Sequence, residues 1–210
     1  MREVPAEQAE GVMRIIGLTG GIGTGKSTAS SYLIELGAAV WDADRAARTV
    51  VQQGQEGWKA IRREFGATYF DSAGNLLRKK MADTIFSDEA AREKLNALLH
   101  PAILDDMARF LDRCHREGEA VVVLDAALLF ESGADKAADE VWVTSCGVDE
   151  QVRRVMERGV SREDAERMVE AQMPDRERRA RAQRVIDTSG PVEDTRRYLK
   201  ALYDELREGD

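Results

Sequence analysis

The sequence predicts an α/β fold in which a parallel sheet is covered by helices on both faces. Three observations carry this. Short apolar runs alternate with longer amphipathic ones along most of the chain, as strands joined by crossover helices do. Ala120–Leu124 (AVVVL) is continuously apolar, the composition of a strand buried on both faces. A glycine-dense segment links the first apolar run to the first amphipathic one, giving a strand–loop–helix connection.

The elements follow in order. Residues 1–12 are polar and are expected to form a disordered extension. Met13–Leu18 (MRIIGL) is the first strand, and Lys26–Leu36 is an amphipathic helix closed by Gly37. Ala38–Trp41 is a second strand, stopped by Asp42-Ala43-Asp44. From about Arg45 to His115 the pattern is mostly helical, with a turn at Asp71–Asn75 and a second break at His100-Pro101. Ala120–Leu124, Glu140–Thr144 (EVWVT) and Val185–Asp187 complete the strands. Helices are expected over Asp149–Glu157, Arg162–Gln172 and from about Val192 to Arg207. The domain organisation is then a core of residues 13–44 and 116–210, interrupted by a helical insertion, 45–115. No repeat and no Pro- or Ser-rich linker divides the chain.

With 210 residues, 43% apolar and 33% charged, the chain suits one soluble globular domain carrying an insertion. A net charge of −8 argues against a nucleic-acid partner. Arginine is nevertheless concentrated: Gln151 to Arg184 holds ten arginines against seven acids, more like a local anion clamp than a polyanion surface. Cys114 and Cys146 lack metal-type spacing and are expected to be reduced thiols in a cytoplasmic protein. Two histidines are too few for a His-based metal site. No run of about 18 apolar residues and no signal-peptide core is present, so no membrane association is expected.

Gly20-Gly21-Ile22-Gly23-Thr24-Gly25-Lys26-Ser27 fits G-x-x-x-x-G-K-[ST] in full, between a strand and a helix. Glycines allow the tight turn that points successive N–H groups, from Gly21 through Thr28, at the β- and γ-phosphates of a nucleoside triphosphate. The helix N-terminus adds its partial positive charge. Lys26 is placed to follow the transferring phosphate, Ser27 to ligate Mg²⁺, and Thr28 to reach the α-phosphate. This refines the fold class to a P-loop NTPase, a three-layer α/β/α sandwich.

Three further features sit where such a loop needs them. Asp42 and Asp44 end the second strand on the edge that carries the phosphate loop, where a carboxylate can orient or deprotonate an attacking hydroxyl. Both also fit as caps of the following helix, and spacing alone does not choose. Asp125, directly after the third strand, has the position of an acid that holds Mg²⁺. Leu128-Leu129-Phe130-Glu131 by itself reads as core packing ending in a charge. Among the arginines, Arg158 is the first candidate to close on phosphate because a Gly-Val-Ser turn follows it, and Arg178 is the second.

Together these residues resemble the dephospho-CoA kinase family, from Met13 to about Tyr203. The likeness rests on GLTGGIGTGKST (Gly17–Thr28), WDADRAAR (Trp41–Arg48), LLRKKMADTIFSD (Leu76–Asp88), LLHPAI (Leu98–Ile103), DAALLFE (Asp125–Glu131) and the stretch Arg154–Gln172. The resemblance implies ATP and Mg²⁺ as co-substrate and metal, and phosphorylation of the 3′-hydroxyl of dephospho-CoA. It implies that Asp44 is the catalytic base, with Lys26 and Arg158 acting on the phosphates and Asp42 in support. Thr19, Arg78, His100, Leu128, Leu129 and Glu131 would shape the acceptor site. The insertion would bind CoA, and residues of about 150–185 would form a helical lid.

The chain departs from the family pattern at three points. Ala127 stands where Pro is usual, giving up a fixed φ. Gln183 and Thr188 replace an Asp and an Asn before the last strand and after it. Thr188 lacks the amide pair that reads adenine, which shifts base recognition to the backbone near Ser189 and Gly190. Arg178 replaces a common Lys. The alternatives are another small-molecule P-loop kinase, or an NTP-hydrolysing switch. The chain contains no N-K-x-D guanine motif of the kind such switches use.

Overall fold

A computed structural model describes residues 12–208, so residues 1–11 of the expected N-terminal extension lie outside the described residues. Five strands form one parallel sheet: β1 (Arg14–Gly20), β2 (Ala39–Asp42), β3 (Val121–Asp125), β4 (Glu140–Ser145) and β5 (Arg184–Asp187). Their spatial order is β2-β3-β1-β4-β5. Chain direction along the sheet reverses between β1 and β3, whose connections leave to opposite sides. Ligands of open parallel sheets bind at such a point, beyond the C-terminal ends of the strands.

The outward-facing residues of the sheet explain the layers. One face, from Ile16, Leu18, Val121, Val123 and Trp142, packs on α1 (Lys26–Glu35) and α10 (Val192–Glu208) through Leu33, Leu199 and Tyr203. Ile16, Leu18 and Leu33 are wholly buried, each contributing about 1.5–3 kcal/mol relative to exposure. The other face, from Val122, Leu124, Val141 and Val143, packs on Met107, Phe110 and Leu129. Every residue of β3 is buried, as its unbroken apolar run predicts.

Between β2 and β3 lie α2 (Ala43–Thr49), α3 (Glu56–Phe65), α4 (Arg78–Ser87) and α5 (Glu89–Glu117). They enclose a separate small core of Val50, Val51, Ile61, Met81 and Leu95. The expected turn at Asp71–Asn75 is present, with the Asp71 carboxylate accepting the Ala73 and Asn75 N–H groups. The expected break at His100-Pro101 is absent: α5 runs through Pro101 without interruption. Proline removes one N–H and disfavours the helix interior. Here the helix is held on both sides of it, by Leu95 and Leu99 in the small core and by Met107 and Phe110 against the sheet.

After β3 come α6 (Leu129–Ser132) and, following β4, the helices α7 (Val148–Met156), α8 (Arg162–Glu170) and α9 (Asp175–Arg181). The α7–α8 pair has its own core of Val152, Val155 and Ala165, against which Ile22 of the glycine loop packs.

Candidate active site

The glycine loop leaves β1 on the C-terminal edge of the sheet and enters α1. Gly23 has φ +77°, and a Cβ there would lie 2.6 Å from the Gln151 carbonyl oxygen. Gly25 precedes α1 at φ +83° with no side-chain cap, leaving the N–H groups of the first helical turn to an outside acceptor. Thr24 is buried and its hydroxyl donates to the Gly21 carbonyl at 2.7 Å, so any contact of this residue to phosphate is through its amide. Ser27 and Thr28 are exposed.

The acids are distributed by the strand register. Asp42 pairs with Asp125 across β2 and β3, and Leu18 with Asp125 across β1 and β3, which brings both acids level with the start of the loop. Asp125 is buried and forms an ion pair with the Lys26 ammonium. Asp42 is the N-cap of α2, its carboxylate accepting the Arg45 N–H at 3.0 Å. Asp44, in the first turn of the same helix, is exposed. Capping therefore falls to Asp42, which leaves Asp44 available.

The arginines take distinct positions. Arg158 is exposed and lines a cleft of about 420 Å³ with Gly23, Gly25, Thr28, Thr188 and Gly190. Arg154 fastens α7 to the loop: Nη1 donates to the Gly23 carbonyl at 3.2 Å, and Nη2 to the Thr188 carbonyl at 2.6 Å. Glu150 orients it, accepting Arg154 Nε at 2.6 Å and two further bonds from Arg153. The Arg153 hydrogen bonds, then Arg154, hold the Glu150 carboxyl down at about 2. Arg178 is buried beside Gly21, and burial pushes its guanidinium pKa down.

The predicted acceptor residues are less uniform. Thr19 is buried, its hydroxyl donating to the Ala127 carbonyl at 3.3 Å. Arg78 is exposed at the start of α4 and donates to the Arg48 carbonyl at 3.2 Å, tying α4 to α2. His100 is exposed on α5, Leu128 is 61% exposed, and Glu131 is exposed on α6. Leu129 corrects the expectation of a substrate contact. It is wholly buried under Gly17, where a Cβ would meet its Cδ2 at 2.7 Å, and it shapes the site only from below.

Two supporting residues escaped the sequence reading: Gln172 Oε1 accepts the Ile22 N–H at 2.8 Å, and Gln151 Nε2 donates to the Cys146 carbonyl at 3.1 Å. Their only signal was an uncharged Gln at each end of a strongly charged segment. Thr188, which lacks an amide to read a base, turns its hydroxyl to the phosphate loop and donates to the Thr24 carbonyl at 2.8 Å.

Among the described residues no group of three or more His, Cys, Asp or Glu forms a metal cage. Mg²⁺ needs no such cage, since it takes one or two protein oxygens and completes its shell with phosphate and water. Ser27 and Asp125 are oxygen donors of that kind.

A phosphate loop at the switch point of a parallel sheet, with an available carboxylate on the same edge and arginines around the loop, defines a P-loop phosphotransferase. The sequence profile of dephospho-CoA kinase matches residues 14–194. The dephospho-CoA kinase of Geobacter sulfurreducens is 45% identical over 192 residues, covering 91% of this chain and 98% of the relative. That of Geobacillus kaustophilus is 44% identical, covering 89% and 94%. A crystal structure from Thermus thermophilus superposes with a TM-score of 0.77 at 35% identity, covering 92% of this chain and 98% of the other. The chain belongs to the dephospho-CoA kinase family. A shikimate kinase from Acinetobacter baumannii, at TM-score 0.54 and 16% identity, shares the fold.

Proposed function

We propose that this protein transfers the γ-phosphoryl group of ATP to the 3′-hydroxyl of dephospho-CoA, giving coenzyme A and ADP, the last step of CoA biosynthesis. The observation that carries this is the division of labour between Asp42 and Asp44. With Asp42 committed to the α2 cap, Asp44 is the carboxylate left to accept the hydroxyl proton on the edge shared with the phosphate loop.

The remaining roles follow from position. The loop amides from Gly21 to Thr28 grip the phosphates, and the Lys26 ammonium exchanges Asp125 for the γ-phosphate when ATP binds. Ser27 and Asp125 are the residues that would hold Mg²⁺, which when bound neutralises charge on the β- and γ-phosphates. Arg158 swings from solvent onto the phosphates as a lid of about residues 150–185 closes. The helical insertion, 45–115, with its own core, receives the acceptor, and Arg78, His100, Leu128 and Glu131 face it. Gly190 lines the same cleft as Arg158 and Thr188, and on this reading the nucleotide base is seated against it. ATP and dephospho-CoA are the partners this reading requires, with no nucleic acid. Among the described residues no helix is long and apolar enough to cross a membrane, and we assign the enzyme to the cytoplasm.

The test is direct. Purified protein with Mg·ATP and dephospho-CoA should yield CoA, detected by mass. Parallel reactions replace dephospho-CoA with adenosine or shikimate, and ATP with GTP. Phosphorylation of adenosine or shikimate but not of dephospho-CoA overturns the proposal.

A further inference from the structure

Thr144 is wholly buried near the end of β4, directly after the apolar core residues Val141, Trp142 and Val143. Threonine and valine are both β-branched and suit a strand, but threonine adds a hydroxyl that is costly to bury unless it is bonded. Side chains alternate along a strand, so Thr144 lies on the same face as Trp142, the face covered by α1. In register it stands opposite Gly20, the first glycine of the phosphate loop. A Cβ on Gly20 would meet the Thr24 hydroxyl at 2.6 Å and run into that of Thr144, so the two hydroxyls fill the space beside this glycine.

The proton order of these hydroxyls follows from their partners. Thr24 Oγ1 lies 2.7 Å from the Gly21 carbonyl, which can only accept, so the single Thr24 hydroxyl proton is spent there. Thr24 Oγ1 and Thr144 Oγ1 are 2.9 Å apart, and with the Thr24 proton committed, Thr144 is the donor of that bond. The other acceptor within reach of Thr144, the Thr19 carbonyl, is more distant at 3.4 Å. A directed chain therefore runs from the sheet into the loop, from Thr144 to Thr24 to the Gly21 carbonyl, each bond polarising the next.

The end point of this chain matters for an anion site. The carbonyl of a trans peptide and the N–H that follows it point in opposite directions. With the Gly21 carbonyl held inward by Thr24, the Ile22 N–H is turned the other way, where it meets Gln172 Oε1 at 2.8 Å. Gly20 and Gly21 carry no side chains to resist rotation of this peptide. A Gly21 carbonyl turned outward would aim its partial negative charge at the phosphates.

We infer that Thr144 is a positioning residue for nucleotide binding, which acts through Thr24 to keep the Gly21 carbonyl inside the loop before ATP arrives. This rests on the phosphate-gripping role of the loop. Being wholly buried, Thr144 touches no ligand itself. Its action differs from that of Thr188, which holds the backbone carbonyl of Thr24 and not the side chain that orients Gly21.

The test compares Thr144→Val, which removes the hydroxyl, with Thr144→Ser, which keeps it. In titrations with MgADP, T144V should bind about 3–10-fold more weakly than the unmodified protein, the loss expected of one hydrogen bond. T144S should bind within about twofold of the unmodified protein, since its hydroxyl can make the same bond. In turnover, KM for ATP should rise in T144V by the factor seen for MgADP, while KM for dephospho-CoA stays unchanged. Thr24→Val breaks the same chain one link further on, so adding T144V to it should cost no further affinity. The assignment is overturned by a T144V protein that binds MgADP like the unmodified one, or in which KM for dephospho-CoA rises as much as KM for ATP. A T144S as weak as T144V overturns it too, as does a double variant whose loss is the product of the two single losses. A T144V chain that does not fold makes the hydroxyl a requirement of the core and has the same consequence. MgADP binding needs no acceptor, so it decides the role of Thr144 separately from whether dephospho-CoA is phosphorylated.

Discussion

Lys26 donates its ammonium to the Asp125 carboxylate, joining the first residue of α1 to the last residue of β3 across the switch point of the sheet. Both side chains are nearly buried, at 16% and 8% exposure, so each neutralises a charge that would otherwise be costly to keep there. The cation that phosphate requires is stored on the acid that the metal requires.

Lys26→Ala should therefore do more than slow turnover. It leaves Asp125 buried and unpaired, and stability should fall by about 3 kcal/mol, at the low end of the cost of breaking a buried pair. The double variant K26M/D125N should recover most of that stability and none of the activity. Urea titration of the three proteins, followed by a kinase assay, checks both halves. A K26A protein as stable as the parent contradicts the storage role.

Asp42 and Asp44 should separate cleanly. Asp44→Asn is expected to lower kcat by about 10²–10⁴-fold, the range for a general base, with KM for ATP nearly unchanged. Asp42→Ala removes the bond to the Arg45 N–H and should cost about 1 kcal/mol of stability with a much smaller kinetic effect. Loss of ATP binding in D44N equal to its loss of turnover would make Asp44 a metal or structural residue instead.

Thr188→Val keeps the shape and deletes the hydroxyl that holds the Thr24 carbonyl. The protein should lose about 1–2 kcal/mol, because a buried acceptor is left with one partner fewer. KM for ATP and for GTP should rise by the same factor, since the hydroxyl faces the loop and not the base. A changed ratio of ATP to GTP use in T188V would return base reading to this position.

The Glu150 carboxyl has a definite pH signature. Its pKa is lowered from 4.5 to about 2 in the folded protein, first by the hydrogen bonds from Arg153 and then by Arg154. A depressed carboxylate contributes stability that is fully present above the unfolded value and is lost as pH falls through the folded one. The Tm gap between the unmodified protein and Glu150→Gln should be greatest above pH 4.5 and should close as pH falls towards 2. At neutral pH, E150Q frees Arg154 to drift from the Gly23 and Thr188 carbonyls, so KM for ATP should rise. A Tm gap that does not vary with pH would detach Glu150 from this network.

The sequence by itself determined the strands, the phosphate loop and the edge on which its partners stand. These are local matters: an apolar period, glycines where φ is positive, and acids directly after strands. Gly23, Gly25, Asp42 and Asp125 were legible for that reason. Tertiary structure decided what depends on residues far apart in the chain. Continuity of α5 through Pro101 required packing on two cores at once, which no local rule anticipates. Leu129 lies in the core, as its tetrad reads by itself, and not in the acceptor site that the resemblance implies, because β1 presents Gly17 above it. Between Asp42 and Asp44, spacing offered an even choice, and the bond to Arg45 made it. The arginines of α7, of the turn after it and of α9 differed in the sequence only by their local context. Burial separated them, leaving Arg158 in solvent, Arg154 on backbone carbonyls and Arg178 beside Gly21 with its Nε unpartnered among the described residues, because only the folded chain sets which charges lose their water.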